Sequence, residues 1–234
     1  MKQNEDGKFY PAPASHLSSS SGRLDILNWL LSVNLLDTNT KDDNGRNIAH
    51  LAALEGHLEV LKWIRAKNLL DAHERDYYGS NLSHIAASNG HLEVMQWLWS
   101  IGEIEAKEKD KYGLTISHHA AGHLDVLVWL SSVDLLNTKA KDDFGMNVAL
   151  HAASKGHVEV LKFLHALQTL DAKSKDKGGR NVALFAAVNG HLEVIKWLHS
   201  VKMLKTKAKD KNGKTMADLA DPLTLAWLTS QHLA

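Results

Sequence analysis

Apolar residues recur in this chain on two scales. Within GHLEVLKWI (residues 56–64), Leu58, Val60, Leu61, Trp63 and Ile64 make a broad apolar face at helical spacing, which predicts an amphipathic helix. The same text returns as GHLEVMQWL at 90–98, GHLDVLVWL at 122–130, GHVEVLKFL at 156–164 and GHLEVIKWL at 190–198, with a weaker copy, GRLDILNWL, at 22–30. The leading glycines stand 34, 34, 32, 34 and 34 residues apart. A unit repeated at such a period buries its apolar face only against its neighbours, so the chain is expected to stack supersecondary units.

The polar positions repeat as strictly. Asp-x-x-Gly recurs at Asp42–Gly45, Asp76–Gly79, Asp110–Gly113, Asp142–Gly145, Asp176–Gly179 and Asp210–Gly213. Asp accepts local backbone bonds and Gly supplies positive φ, so each motif predicts a tight turn. Two residues later stand Asn47, Asn81, Thr115, Asn147, Asn181 and Thr215, good N-caps for a short helix that in most units carries an Ala-Ala pair. A ladder of Leu36, Leu70, Ile104, Leu136, Leu170 and Leu204 follows the second helix, so the returning segment is expected to be packed. The unit starting at Asp110 lacks two residues between Ala121 and Gly122, which should shorten its first helix or the turn between helices.

Turn, short helix, longer helix and extended return, written as DxxGxxxxHxAAxxGHLEVxKWL, resemble the ankyrin repeat over about residues 8–234. The resemblance implies an all-α solenoid of about seven stacked helix-turn-helix units with β-turn fingers, whose concave side of fingers and first helices binds other proteins. The family's Thr-Pro-Leu-His box is written here as Asn-Ile-Ala-His (47–50), Asn-Leu-Ser-His (81–84) and Thr-Ile-Ser-His (115–118). Leu150 and Leu184 replace the histidine in later units. The Lys-Trp-Leu style resembles ankyrin proteins of amoebae, giant viruses and intracellular bacteria.

On this register residues 1–10 are a flexible tail and 11–41 a degenerate N-terminal cap in which serines replace the alanines. Full repeats run over 42–75, 76–109, 110–141, 142–175 and 176–209. Residues 210–234, with a turn, a capped helix and a shortened second helix, read as a C-terminal cap that completes the set. The ankyrin-repeat domain thus covers 11–234 as one elongated domain. With no cysteine there is neither a disulfide framework nor a thiolate site. No secretory signal or membrane-length apolar run is present, so a cytoplasmic setting is expected, or a host cytoplasm for an exported effector. Net charge is zero but lopsided: residues 173–214 hold 11 Lys/Arg against three acids.

Most of the 15 histidines occupy repeat positions, namely His16, His50, His84 and His118 in the box and His57, His91, His123, His157 and His191 after the glycine. A residue that serves every unit is expected to be structural. His118–His119 is the least regular pair, and no third ligand is spaced to complete a metal site. The stripe Trp29, Trp63, Trp97, Trp129, Phe163 and Trp197 is expected in the core or half-covered between helices. Gly178–Gly179 lacks the context of a phosphate loop. No catalytic arrangement is found, so the chain is expected to be a non-enzymatic monomer without cofactor or metal.

What varies between units points to binding. The expected exposed tip positions, the two inside Asp-x-x-Gly and the one after it, hold Tyr77, Tyr78, Tyr112, Leu114, Phe144 and Met146 in the three central fingers. Exposed apolar groups mark interaction sites, and aromatic anchors dominate interface energetics. These six are therefore the expected contacts for an unidentified partner protein. Paired lysines precede the turns, Lys107/Lys109, Lys139/Lys141, Lys173/Lys175 and Lys207/Lys209. Together with Arg180 and Lys214, the pairs Lys173/Lys175 and Lys207/Lys209 offer the alternative of a strip for nucleic acid, anionic lipid or another polyanion, the lysines' duller role being solubility and pairing with the neighbouring Asp.

Overall fold

The computed structural model describes residues 13–233; the expected tail at 1–10 lies outside them. The described residues are all-α, with fourteen α-helices and no strand. They form two compact units that divide in the chain between Lys111 and Tyr112.

Unit 1 contains three helix pairs: α1 (Ala14–Ser20) with α2 (Leu24–Ser32), α3 (Ile48–Glu55) with α4 (Leu58–Ala66), and α5 (Leu82–Ser88) with α6 (Leu92–Ser100). First helices stack in sequence order, α1 on α3 on α5, and so do second helices, α2 on α4 on α6. The first helices meet through Ala52, Ala53, Ala86 and Ala87, all fully buried, because an alanine surface lets backbones approach. Val60, Leu61 and Ile64 supply the buried face of α4, and full burial of such a side chain is worth about 1.5–3 kcal/mol. Trp63 is half-buried and donates its Nε1–H to Asn28 Oδ1 at 2.9 Å. Trp29 departs from the expected half-cover: it is exposed, although α2 packs against α1 and α4.

Each finger is a turn closed by its own aspartate. In the second, Asp76 N–H donates to Ser80 O at 3.0 Å, while Asp76 Oδ1 accepts from Tyr78 N–H and Ser80 N–H, both at 2.9 Å. Gly79 sits at φ 79°, and a Cβ there would lie 2.8 Å from Lys111 N, so both conformation and neighbour require glycine. The close approach exists because fingers are hydrogen-bonded in series. In unit 1, Tyr77 N–H donates to Asn44 O and Lys111 N–H to Tyr78 O.

Unit 2 contains α7 (Ile116–His119) with α8 (Leu124–Ser132), α9 (Val148–Lys155) with α10 (Val158–Ala166), α11 (Val182–Val188) with α12 (Leu192–Ser200), and α13 (Met216–Leu219) with α14 (Pro222–Ser230). First helices again stack in order, α7 on α9 on α11 on α13, and second helices α8 on α10 on α12. Its fingers continue the same series within the unit, Asp143 N–H to Tyr112 O, Lys177 N–H to Phe144 O and Lys211 N–H to Gly178 O.

The missing two residues shorten the first helix. α7 has four residues and runs into a 3-10 turn at Ala120–Gly122. Gly56, Gly90, Gly156 and Gly190 take positive φ at the equivalent turn, whereas Gly122 does not. One consequence reaches the next repeat. His57, His91 and His191 each place Nε2 on a carbonyl of the preceding unit, at Ser20, Leu54 and Ser154. Among the described residues His157 makes no such bond. In the last unit the order of lengths is reversed from expectation: the first helix, α13, is short, and the second, α14, has nine residues. Pro222 explains this, since the residue before a proline is driven out of helical geometry, and Asp221 is extended at φ −66° and ψ 163°, with Ala220 before it also extended. Asp221 then recaps α14, accepting from Thr224 N–H at 3.2 Å with Pro222 at N1.

Candidate interaction surface

The box histidines clamp each returning segment to a helix start. His50 Nε2 pairs with Glu74 O at 3.0 Å and His84 Nε2 with Glu108 O at 3.2 Å, while each Nδ1 accepts the N–H of the cap residue, Asn47 or Asn81. His16 reaches Thr40 O in the same way. In unit 2, His118 Nε2–H donates to Ala140 O at 3.0 Å and Nδ1 accepts from Thr115 N–H at 3.1 Å. Both ring nitrogens are thereby used, and burial pushes the imidazole down to about 4. Its ring meets that of His151 edge-on, with centroids 5.7 Å apart. His151 Nε2 in turn bonds the buried Asp142 Oδ2 at 2.8 Å, and burial lowers its pKa despite that carboxylate. Among the described residues no group of three or more His, Cys, Asp or Glu is arranged to hold a metal ion.

The finger tips divide by position. In the three central fingers the two residues inside the turn project: Tyr77 is 58% exposed, Tyr78 42%, Tyr112 44% and Phe144 58%. The residue after the glycine does not. Ser80 is buried, and Leu114 and Met146 are half-buried. In the finger carrying Met146, its N–H donates to Asp142 Oδ1 and its carbonyl accepts from Asp142 N–H, which draws this position into the finger base. The unit 1 rings also rest on the preceding finger. Tyr77 lies over Gly45, where a Cβ would come within 2.4 Å of its Cδ1, and Tyr78 donates its hydroxyl to Asn44 Oδ1 at 3.2 Å. Tyr77 and Tyr78 share one finger of unit 1; Tyr112 and Phe144 stand on consecutive fingers of unit 2.

The basic positions are more engaged than their spacing suggested. Lys175 Nζ donates to Lys209 O at 3.0 Å and Lys141 Nζ to Lys175 O at 2.8 Å, so these side chains tie one return segment to the next. Arg180 stacks on Phe185, 4.9 Å from the ring centroid, with its Nε 3.4 Å from Asp176. Lys173, Lys207, Lys209 and Lys214 are exposed.

Unit 1 builds the corresponding tie with a carboxylate. Arg75 donates to Lys109 O at 2.9 Å and to Glu108 Oε1 at 3.0 Å, and Asn81 Nδ2–H donates to Glu108 Oε2. Lys41 pairs with Glu74 at 2.8 Å, and Asn47 Nδ2–H donates to the same carboxylate. Reading turn residues alone passes over this position. Residues 74, 108, 140, 174 and 208, aligned by repeat, read Glu, Glu, Ala, Ser, Ala, a signal that was there to find.

Models of ankyrin repeats match residues 14–65 and 50–98, and a three-copy ankyrin-repeat model matches residues 130–210. No curated protein matches the chain. No helix among the described residues is long and apolar enough to cross a membrane.

Proposed function

Since the chain belongs to the ankyrin-repeat family, whose repeats are generally protein-interaction modules, we propose that it holds a partner protein on its finger surface and acts by binding alone. Tyr77 and Tyr78 in unit 1, and Tyr112 and Phe144 in unit 2, are the anchors, with Leu114 and Met146 as half-buried apolar support beneath the latter pair. The observation that carries this reading is the exposure of four rings, 42–58%, on turns whose backbones are fixed by finger-to-finger hydrogen bonds. Equivalent positions hold Asp43, Asn44, Lys177 and Gly178, so the turn itself requires no ring there. A ring held out on an ordered turn loses little conformational freedom on binding, which favours affinity. A cysteine-free monomer in a reducing cytoplasm suits the same reading.

The test is a paired measurement on Tyr78→Ala with Tyr112→Ala, using a partner captured from lysate and then purified. Truncating hot-spot aromatics costs about 2 kcal/mol or more each, so the affinity should fall at least about a hundredfold if the two add. Affinity equal to wild type would overturn the anchor assignment.

A further inference from the structure

In unit 1 the basic residue before the second turn serves a carboxylate as well as backbone carbonyls, that of Gly79 among them. Arg75 takes the carbonyl of Lys109 and the carboxylate of Glu108, and the Asn81 amide completes the carboxylate's shell. Lys41, Glu74 and Asn47 repeat the carboxylate half of the arrangement. Unit 2 keeps the donors and drops the carboxylate. Lys175 bonds the carbonyl of Lys209, and the place of Glu108 is taken by Ala208.

The local backbone is unchanged. Glu108 N–H donates to Glu105 O at 3.0 Å, and Ala208 N–H donates to Lys205 O at 3.1 Å. Asn181 caps α11 with φ −99° and ψ −177°, matching Asn81 at −94° and −177°. Its Oδ1 accepts from Leu184 N–H at 3.0 Å, as Asn81 Oδ1 accepts from His84 N–H at 3.1 Å. Asn181 Nδ2 therefore corresponds to the amide nitrogen that Asn81 gives to Glu108. Asn181 is 2% exposed, and the side chain at 208 offers its amide no acceptor, being alanine. One repeat earlier, Ser174 offers Asn147 Nδ2 only a hydroxyl at 3.3 Å.

We infer that unit 2 binds an acidic peptide segment, one of whose carboxylates occupies the place of the missing Glu beside Ala208. It accepts from Asn181 Nδ2–H and from the ammonium hydrogens that Lys175 does not spend on Lys209 O. Lys173, Lys207 and Lys209, exposed on the same return segments, attract the flanking acids. A carboxylate is favoured over a phosphate chain because unit 1 shows these donor types closing on a carboxylate. The inference rests on the reading of the chain as a protein binder but uses none of the aromatic tips.

The experiment titrates a fluorescein-labelled glutamate-rich peptide against the full chain at low ionic strength, read by anisotropy. Wild type should bind. Ala208→Glu, which supplies the missing carboxylate from the chain itself, should weaken binding at least about tenfold. Asn181→Ser, which keeps a good helix cap but removes the amide, should weaken it about threefold or more. Lys202→Gln removes the same unit of charge at a position where Gln168 shows that glutamine takes the same positive φ, and should change affinity by less than about twofold. Tyr78→Ala with Tyr112→Ala should leave peptide affinity unchanged, so this inference and the anchor assignment can fail separately. Absence of wild-type binding would overturn the inference, as would equal weakening by Lys202→Gln and Ala208→Glu. So would tighter retention of duplex DNA than of the peptide, undiminished by Ala208→Glu.

Discussion

Units 1 and 2 are made from the same turn, helix pair and return segment, yet they secure the return segment by different chemistry. In unit 1 every return segment before a finger is clamped by a box histidine and, from Glu74 onward, also by a carboxylate shared between a cap asparagine and a basic residue. In unit 2 only His118 keeps the clamp. Leu150 and Leu184 fill the box position with fully buried side chains, and lysine-to-carbonyl bonds replace the carboxylates. The repeat thus tolerates two solutions at one position, polar clamp or apolar plug, provided that each is complete. The tie from Lys175 to the Lys209 carbonyl spends one of that ammonium's three hydrogens.

The sharpest break of this comparison is His84→Leu, which writes the unit 2 solution into unit 1. It removes the partners of Asn81 N–H and Glu108 O without supplying others, and two unsatisfied buried backbone groups should cost about 4 kcal/mol in denaturant unfolding. A loss below about 1 kcal/mol would show that the apolar plug works equally in either unit.

Acid should separate the units next. His50 in unit 1 and His118, His151 and His157 in unit 2 all have pKa values lowered, chiefly by burial. Because the unfolded chain takes up these protons first, stability is complete above the ordinary histidine value of 6.5 and falls as pH drops below it. For His118 the loss continues to about 4 and amounts to about 3 kcal/mol. Amide exchange at pH 7 and pH 5 should show protection falling further in unit 2 than in unit 1. His118→Leu, which repeats the choice made at Leu150, should flatten that dependence.

Ala208→Glu tests the comparison in the opposite direction, since it writes the unit 1 solution into unit 2. Restoring a charge-assisted bond to Asn181 and Lys175 at a partly exposed site should raise stability by about 1 kcal/mol, seen as a higher melting temperature. The smallest effect is expected at the tips. Tyr78→Ala with Tyr112→Ala should move stability by about 0.5 kcal/mol or less for each residue, because both rings are more than two-fifths exposed. A larger loss would mean that the contacts of Tyr78 with the preceding finger are structural first.

The two units also show where reading the chain ran short. The residue after each turn glycine is expected to be exposed, but Ser80 is buried and Met146 half-buried, because the turn aspartate bonds both the N–H and the carbonyl of that residue. The paired lysines are expected either as solubilising charges paired with the neighbouring Asp or as a basic strip, whereas Lys141 and Lys175 spend part of their donor capacity on carbonyls 34 residues ahead. His151 was passed over as one histidine among many, although it replaces Leu51 and Ile85 of earlier repeats and bonds the turn aspartate nine residues before it.

By itself the sequence determined the repeat period, the turns, the caps at Asn47, Asn81, Thr115, Asn147, Asn181 and Thr215, and the buried alanine and leucine positions. It could do so because each depends on residues within a few positions and is written again in nearly every unit. Only the tertiary structure decided which donors stay unspent, which rings rest on a neighbouring finger, and that Asn181 lies opposite a missing carboxylate. Those outcomes are set by contacts about 27 to 34 residues apart, from cap to return segment or from one repeat to the next, where hydrogen-bond geometry selects the partner and no local pattern names it.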